Sequence, residues 1–222
     1  MTAFLANVGV NAGHAARSPL FEDGTFRLLS IPENAPWRPP MVRLDDVAWM
    51  RHHAPASWRG RAVHVDPDLT SESRTYGDNC RRAGRAFSLR RAQTGDLIVF
   101  LARLQPIDRR AEFRLVGCLE IDDTLRDVVG DPGSGWWDSN AHVRRGRATE
   151  VWDSFWVFKG NAQSRLFERA VAFGRQEAQR LFGDSMRWLR HRTELQTIGS
   201  CTRPVRRVEG AGEEWLRATC RS

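Results

Sequence analysis

Lysine is almost absent from this chain: Lys159 is the only one among 222 residues. Tyrosine also occurs once, as Tyr76. Cysteine is sparse, and Cys80, Cys118, Cys201 and Cys220 form no C-x-x-C pair and have no histidine at zinc-finger spacing. The cysteines therefore point to no structural metal, and free buried thiols in a reducing cytoplasm are expected. No long apolar run exists either. The longest, Leu97 to Ala102, falls far short of the roughly 20 residues a membrane helix needs. Residues 1–16 lack a basic start, and Asn7, Asn11 and His14 interrupt any apolar stretch. No secretory signal is expected, and the predicted location is the cytoplasm.

What is present is arginine. Lys+Arg totals 34 against 27 Asp+Glu, a formal net charge of +7, and with one lysine removed 33 of the 34 are arginine. Guanidinium is always charged and its planar fork matches phosphate. Such a surface suits a polyanion, most simply nucleic acid. Codon bias in a GC-rich genome gives the same composition, so composition leaves both readings open. Three clusters stand out: Arg81, Arg82, Arg85, Arg90 and Arg91; Arg144, Arg145 and Arg147; and Arg203, Arg206 and Arg207. Hydrophobic residues make up 41% and include nine tryptophans spread along the chain, which is enough to bury a core and argues against disorder.

Residues 3–10 read as a buried strand, and 26–31 as a second. Residues 32–40 hold four prolines and read as an extended loop, 42–53 as a short helix, and 54–86 as loop. Leu97–Leu104 and Phe113–Ile121 are apolar strands joined by a polar segment, the pattern of a hairpin. Residues 130–140 read as a glycine-rich loop carrying Trp136 and Trp137, and 152–158 as a further strand. Residues 175–182, 184–193 and 212–218 read as helices, with Leu181, Phe182, Met186 and Leu189 facing inward. Strands first and helices last predict an α+β fold: a central mixed β-sheet or a small barrel, with C-terminal helices packed on it. A single domain, 1–222, is expected, with a β-rich core over 1–173 and a helical extension over 174–222.

Four polar groups are chemically suggestive. Asn7, Asn11, His14 and Asp23 follow or flank the first strand, where glycines at 9 and 13 permit close backbone approach. A polar turn explains them equally simply. His64, Asp66, Tyr76, Asp78 and Asn79 offer a ring that could stack on a base and groups that could read its edge. An Asx turn ahead of the arginine-rich segment is the plainer alternative. Asn140, His142 and Arg144 alternate, so an extended segment would place all three on one face, with Arg145 beside them. Lys159, followed by Gly160, Ser164 and Arg165, suits a nucleophile or a compact phosphate contact. The dinucleotide fingerprint, P-loop, hydrolase elbow and metalloprotease motif are absent.

Taken in order, these motifs carry a resemblance: Asn7-Val8-Gly9-Val10-Asn11; Ser18-Pro19 with Phe21-Glu22-Asp23-Gly24; Ile31-Pro32; Thr75-Tyr76-Gly77-Asp78; Gly95-Asp96-Leu97 with Phe100-Leu101-Ala102-Arg103; Asn140 to Arg145; and Phe158-Lys159-Gly160 with Ser164-Arg165. Over about residues 4–173 the chain resembles the nucleotide-modification-associated domain 3 family of bacteria and phages. These motifs stop before Gly174. The resemblance extends to anti-phage DNA glycosylases that excise glucosylated hydroxymethylcytosine, and the Gly95-Asp96 turn is similar to that of PUA, ASCH and EVE base-binding domains. It implies a protein that acts on, or recognises, modified bases in double-stranded DNA.

Two functions follow as expectations. One is a DNA glycosylase, a hydrolase that flips a modified base from phage DNA and excises it, leaving abasic sites as antiviral defence. Asp78, Asp23 and His142 are then the expected catalytic groups, with Asp66 a further carboxylate. Asn7, Asn11, His14, Tyr76, Asn79 and Asn140 would bind the base, and Arg81, Arg82, Arg144, Arg145, Lys159 and Arg165 the phosphates. A variant uses Lys159 as a Schiff-base nucleophile. The other is a non-catalytic reader that recruits a nuclease. RNA recognition through Trp136, Trp137 and Tyr76 is a weaker third. No cofactor, no metal, no membrane contact and no obligate protein partner are expected.

Overall fold

A computed structural model of the chain describes residues 1–82 and 84–222. Its centre is the strand trio expected from the apolar runs: β1 (Ala3–Val8), β7 (Leu97–Pro106) and β8 (Glu112–Val128). β7 is central because it is apolar on both faces. Phe4, Ala6, Ile98 and Phe100 enter the core on one side, and Ala3, Leu5, Leu97 and Val99 the core on the other. A strand covered on both sides reads as a continuous apolar run rather than an alternating one. β1 lies parallel to β7, and β8 pairs with β7 as the expected antiparallel hairpin.

The remaining strands extend this sheet. β2 (Ser18–Leu20) continues alongside β7 beyond the end of β1. β8 pairs next with β9 (Phe155–Gly160), and β9 with β6 (Thr75–Asp78). β10 (Arg165–Ala172) pairs with the first half of β8. β11 (Arg206–Val208) pairs antiparallel with β1. The path runs β11-β1-β7-β8-β9-β6 in an eight-stranded mixed sheet. Its two ends do not pair among the described residues, so the sheet is open and the barrel alternative does not hold. β3 (Ile31–Pro32), β4 (Val42–Arg43) and β5 (Ala62–His64) form a second, small sheet.

Among the described residues five α-helices accompany the sheets: α1 (Met50–His53), α2 (Ala141–Thr149), α3 (Arg175–Phe182), α4 (Glu194–Cys201) and α5 (Ala211–Arg221). Phe182, Ile198 and Leu216 of the last three fill the core on one face of the main sheet. α3 has the predicted bounds. The helix expected over 184–193 reduces to a 3-10 turn at Gly183–Ser185, and Leu189 is exposed rather than inward. Thr193 instead caps α4, accepting from the Gln196 N–H at 3.2 Å. The helix expected over 42–53 is β4, a 3-10 turn and the short α1. Residues 26–31 form no continuous strand, and β5 and β6 lie in the segment read as loop.

Asn140 and His142 sit on a helix, not on an extended edge. Asn140 is the N-cap of α2, its side chain accepting the His142 N–H at 3.0 Å, and Glu150 ends the helix in a left-handed conformation at φ 60°. Trp152 lies against Gly146, where a Cβ would come within 2.6 Å of the ring, which seats α2 on the tryptophan cluster below.

Candidate functional site

The edge strand β6 organises the site. Side chains alternate along a strand, so Tyr76 and Asp78 share one face while Thr75 and Gly77 share the other. On the second face stands a largely covered polar group contributed by three parts of the chain. His64 ends β5, Asp66 lies two residues on, and His142 opens α2. His64 Nε2 and His142 Nε2 are 3.2 Å apart. Asp66 Oδ2 lies 3.7 Å from the first and 3.5 Å from the second. These atoms form one group of three metal-type donors.

Each member is held from behind. Glu33 Oε1 accepts from His64 Nδ1 at 2.6 Å. The Gly77 N–H, facing outward from the sheet edge, donates to Asp66 Oδ1 at 3.1 Å and Oδ2 at 2.8 Å. His142 stacks on Phe155 with centroids 5.0 Å apart, and the Asn140 amide donates to Thr75 Oγ1 at 3.2 Å, tying the start of α2 to β6. Gly77 is required for this closeness. A Cβ there would stand 2.5 Å from His142 Cδ2, 2.9 Å from Asn140 Oδ1 and 3.1 Å from Asp66 Oδ2.

Burial and charge set the protonation. The Asp66 side chain is 3% exposed, His64 16% and His142 14%. Burial pushes the Asp66 carboxyl up to about 6, against the pull of the His64 hydrogen bond. Burial opposes charge on His64, but hydrogen bonds and attraction from Asp66 and Glu33 outweigh it and raise its pKa to about 9. Burial, with the positive charges of His64 and Arg145, holds His142 well below the ordinary histidine value. Burial works against the Glu33 carboxylate too, yet the bond to His64 keeps its pKa below the usual range.

Asp78, on the other face of β6, has its oxygens committed. Tyr76 donates its hydroxyl to Oδ2 at 2.5 Å, Arg85 Nη2 reaches the same oxygen at 2.8 Å, and the Asn79 N–H meets Oδ1 at 2.8 Å. Arg85 Nη2 also donates to the Asn7 carbonyl at 3.1 Å. Tyr76 is buried between Phe100 and Phe158, with no ring face free for a base. Asp78 thus fixes Arg85, and Tyr76 fixes Asp78.

Two cavities share Gly9, just past the C-terminal end of β1, as a lining residue. The first, about 780 Å³, is walled by Phe26, Leu28, Trp49 and Leu69, with Arg27, Asp66, Asp68, Arg144 and Glu168 among its polar groups. The second, about 740 Å³, is lined by Asn7, Asn11, Arg85, Arg103, Arg192 and Arg203 among others. Arg103 Nε is buried there with no hydrogen-bond partner.

Most of the other expected site residues are engaged elsewhere. Asp23 is exposed in the turn after β2, accepting from the Thr25 N–H at 2.9 Å and Oγ1 at 2.7 Å. His14 Nδ1 accepts the Asn11 N–H at 3.0 Å within one turn, and Asn79 Oδ1 accepts the Arg81 N–H at 3.2 Å within another. Arg81, Arg82 and Arg165 are exposed, and Arg145 pairs with Asp153. Lys159 pairs with Asp122 at 3.0 Å. Trp136 and Trp137 are tied by their indole N–H groups to Asp123 and the Gly133 carbonyl, as loop anchors. Glu33 and Arg192 carry no local signal that marks them as functional, and Gly77, Arg103 and Arg203 stand in motifs or an arginine cluster that do not single them out. Only the spacing of Thr-Tyr-Gly-Asp, a strand pattern interrupted by glycine, could have flagged Gly77 as a close approach.

Neither the curated proteins nor the solved structures contain a match to the chain. A family model does match, from residue 2 to residue 218, and so runs through α3, α4 and β11, well past Arg165 at the end of the motif series. With nearly the whole length matched, the chain belongs to the family described as nucleotide modification associated domain 3, and its function is related to nucleotide modification.

Proposed function

We propose that the chain is a DNA glycosylase: it excises a modified base, glucosylated hydroxymethylcytosine being the class expected, from phage DNA and leaves abasic sites. The observation that carries this reading is a pair of cavities on either side of Gly9, one with Asp66 in its lining and the other lined by arginine. Both volumes fall within the roughly 300–1,000 Å³ of small-ligand sites. The apolar and aromatic wall of the first suits a flipped base. The arginine forks of the second suit the phosphates beside it, where charge-assisted bidentate bonds are strongest. Extruding the nucleotide costs a few kcal/mol, which such contacts offset.

The chemistry is hydrolysis. Water oxygen bonds to the sugar C1′, the C1′–N bond breaks with its electron pair leaving on the base, and the proton from water ends on that base. Positive charge develops on the sugar as the bond opens. In this reading Asp66 faces that charge and orients the water, and His142 and His64 fix its position. Asp78 serves by aiming Arg85 across to Asn7, and Asp23 serves its own turn.

Glucosylated phage DNA and unmodified DNA, each incubated with protein and then heated in alkali, test the proposal. Breaks confined to the modified DNA, lost in Asp66→Asn while the gel shift persists, support excision. A selective gel shift with intact DNA for the wild-type protein means a reader that recruits a nuclease instead.

A further inference from the structure

The buried histidine–aspartate group has a geometry that base excision alone does not require. His64 Nδ1 is engaged by Glu33, so the Nε2 of His64 is the nitrogen turned inward. It lies 3.2 Å from His142 Nε2, the two rings standing edge to face with centroids 4.4 Å apart. Two imidazole nitrogens at that distance repel unless a proton or a cation sits between them. Asp66 Oδ2 completes a triangle of 3.2, 3.5 and 3.7 Å. Ligand bonds of roughly 2.0–2.1 Å in tetrahedral array imply donor separations of about 3.3–3.4 Å, which is the size of this triangle.

The surroundings have the form of an outer shell. A metal-bound histidine commonly donates its second nitrogen to a carboxylate, as His64 does to Glu33, and ligating carboxylates are themselves hydrogen-bonded, as Asp66 is by Gly77. The donors come from β5, the segment after it and α2, and the absent Cβ of Gly77 lets them approach. Of the three, Asp66 also lines the larger cavity, the side from which water or substrate would reach the group.

We propose that His64, Asp66 and His142 bind a divalent zinc ion with one open position. Two imidazoles and a carboxylate suit zinc, and three protein ligands with an open fourth place are the pattern of catalytic rather than structural sites. The ion holds the attacking water and lowers its pKa toward about 7. This deepens the excision reading, on which the role of the ion rests; its binding does not.

The experiment uses the full chain, stripped with chelator and dialysed. Calorimetric titration with Zn²⁺ is expected to give one site, and Co²⁺ to give the visible bands of four-coordinate cobalt. His142→Ala and the isosteric Asp66→Asn, checked by circular dichroism for fold, are each expected to abolish the cobalt bands. Glu33→Gln is expected to weaken zinc by about 10–100-fold. Folded wild-type protein that takes up neither ion overturns the proposal, as does binding unchanged in both ligand variants. Chelation is expected to stop excision and zinc to restore it. Zinc uptake without cleavage of any DNA refutes the excision reading and leaves the ion site standing. Cleavage that persists after stripping refutes the ion site and leaves excision.

Discussion

Gly77→Ala adds one methyl group at the point where β6, Asp66 and α2 meet. The new Cβ falls 2.5 Å from His142 Cδ2 and 2.9 Å from Asn140 Oδ1. Neither neighbour is a loose side-chain end. His142 is stacked on Phe155, and Asn140 is fully buried, bonding Thr75 and capping α2. Overpacking of this kind costs about 1–3 kcal/mol. Alanine in a strand recovers roughly 0.5–1 kcal/mol of that relative to glycine. For a domain of this size, 1 kcal/mol moves Tm by about 2–4 °C, so a fall of a few degrees is expected. Activity falls further, because a misplacement of about 1 Å can cost on the order of 100-fold in rate. Gly130→Ala is the control: its backbone lies outside the left-handed region and nothing stands within 4 Å of an added Cβ. Thermal melts and single-turnover excision on modified DNA give the two readouts. If Gly77→Ala matches Gly130→Ala in both, the packing of this site has been misjudged.

Four further outcomes follow from the same geometry. Asp23→Asn is expected to leave excision and thermal stability unchanged, because it alters only an exposed turn; loss of excision would restore Asp23 to the chemistry. Lys159→Arg keeps its pairing with Asp122 and is expected to retain activity, with borohydride trapping no DNA adduct; a trapped wild-type adduct would overturn this. Arg103→Ala and Arg203→Ala are expected to weaken modified and unmodified DNA alike and to lower the salt slope by about one for each phosphate the arginine neutralises; a change confined to modified DNA would place them at the base. Burial and the nearby Asp78 hold the Tyr76 hydroxyl well above its ordinary pKa. Native protein is therefore expected to show no tyrosinate absorbance near pH 10, and Tyr76 is the only tyrosine to report it. The unfolded chain releases this proton at about pH 10 and the folded chain does not. Stability is thus expected to drop as pH rises above that point, and a tyrosinate step before unfolding would contradict the buried hydrogen bond.

Much of the fold was legible because its signals are local. The apolar runs at 97–104 and 113–121 and the α3 period needed no distant partner to be read. The second and third polar groups already contained His64, Asp66 and His142, though not as one set. Asn140 to Arg145 misled, because alternation of Asn, His and Arg fits an extended strand, while the capping role of Asn140 and the seat of Gly146 on Trp152 decide for a helix. β6 was hidden in a polar stretch because its inward residues include a glycine and a paired aspartate in place of an apolar alternation.

Residue type and short spacing are enough to specify the β-rich core, the order of strands before helices, an arginine surface fit for a polyanion, and the family's motifs. They do not say which carboxylate is already committed to neighbouring side chains; packing decides that. Sequence alone ranks Asp78 ahead of Asp66, but Arg85 and Tyr76 fold back onto the first, while α2, far along the chain from Asp66, brings His142 to the second. Chain closure over that distance is set by the packing of whole elements, which no local pattern encodes.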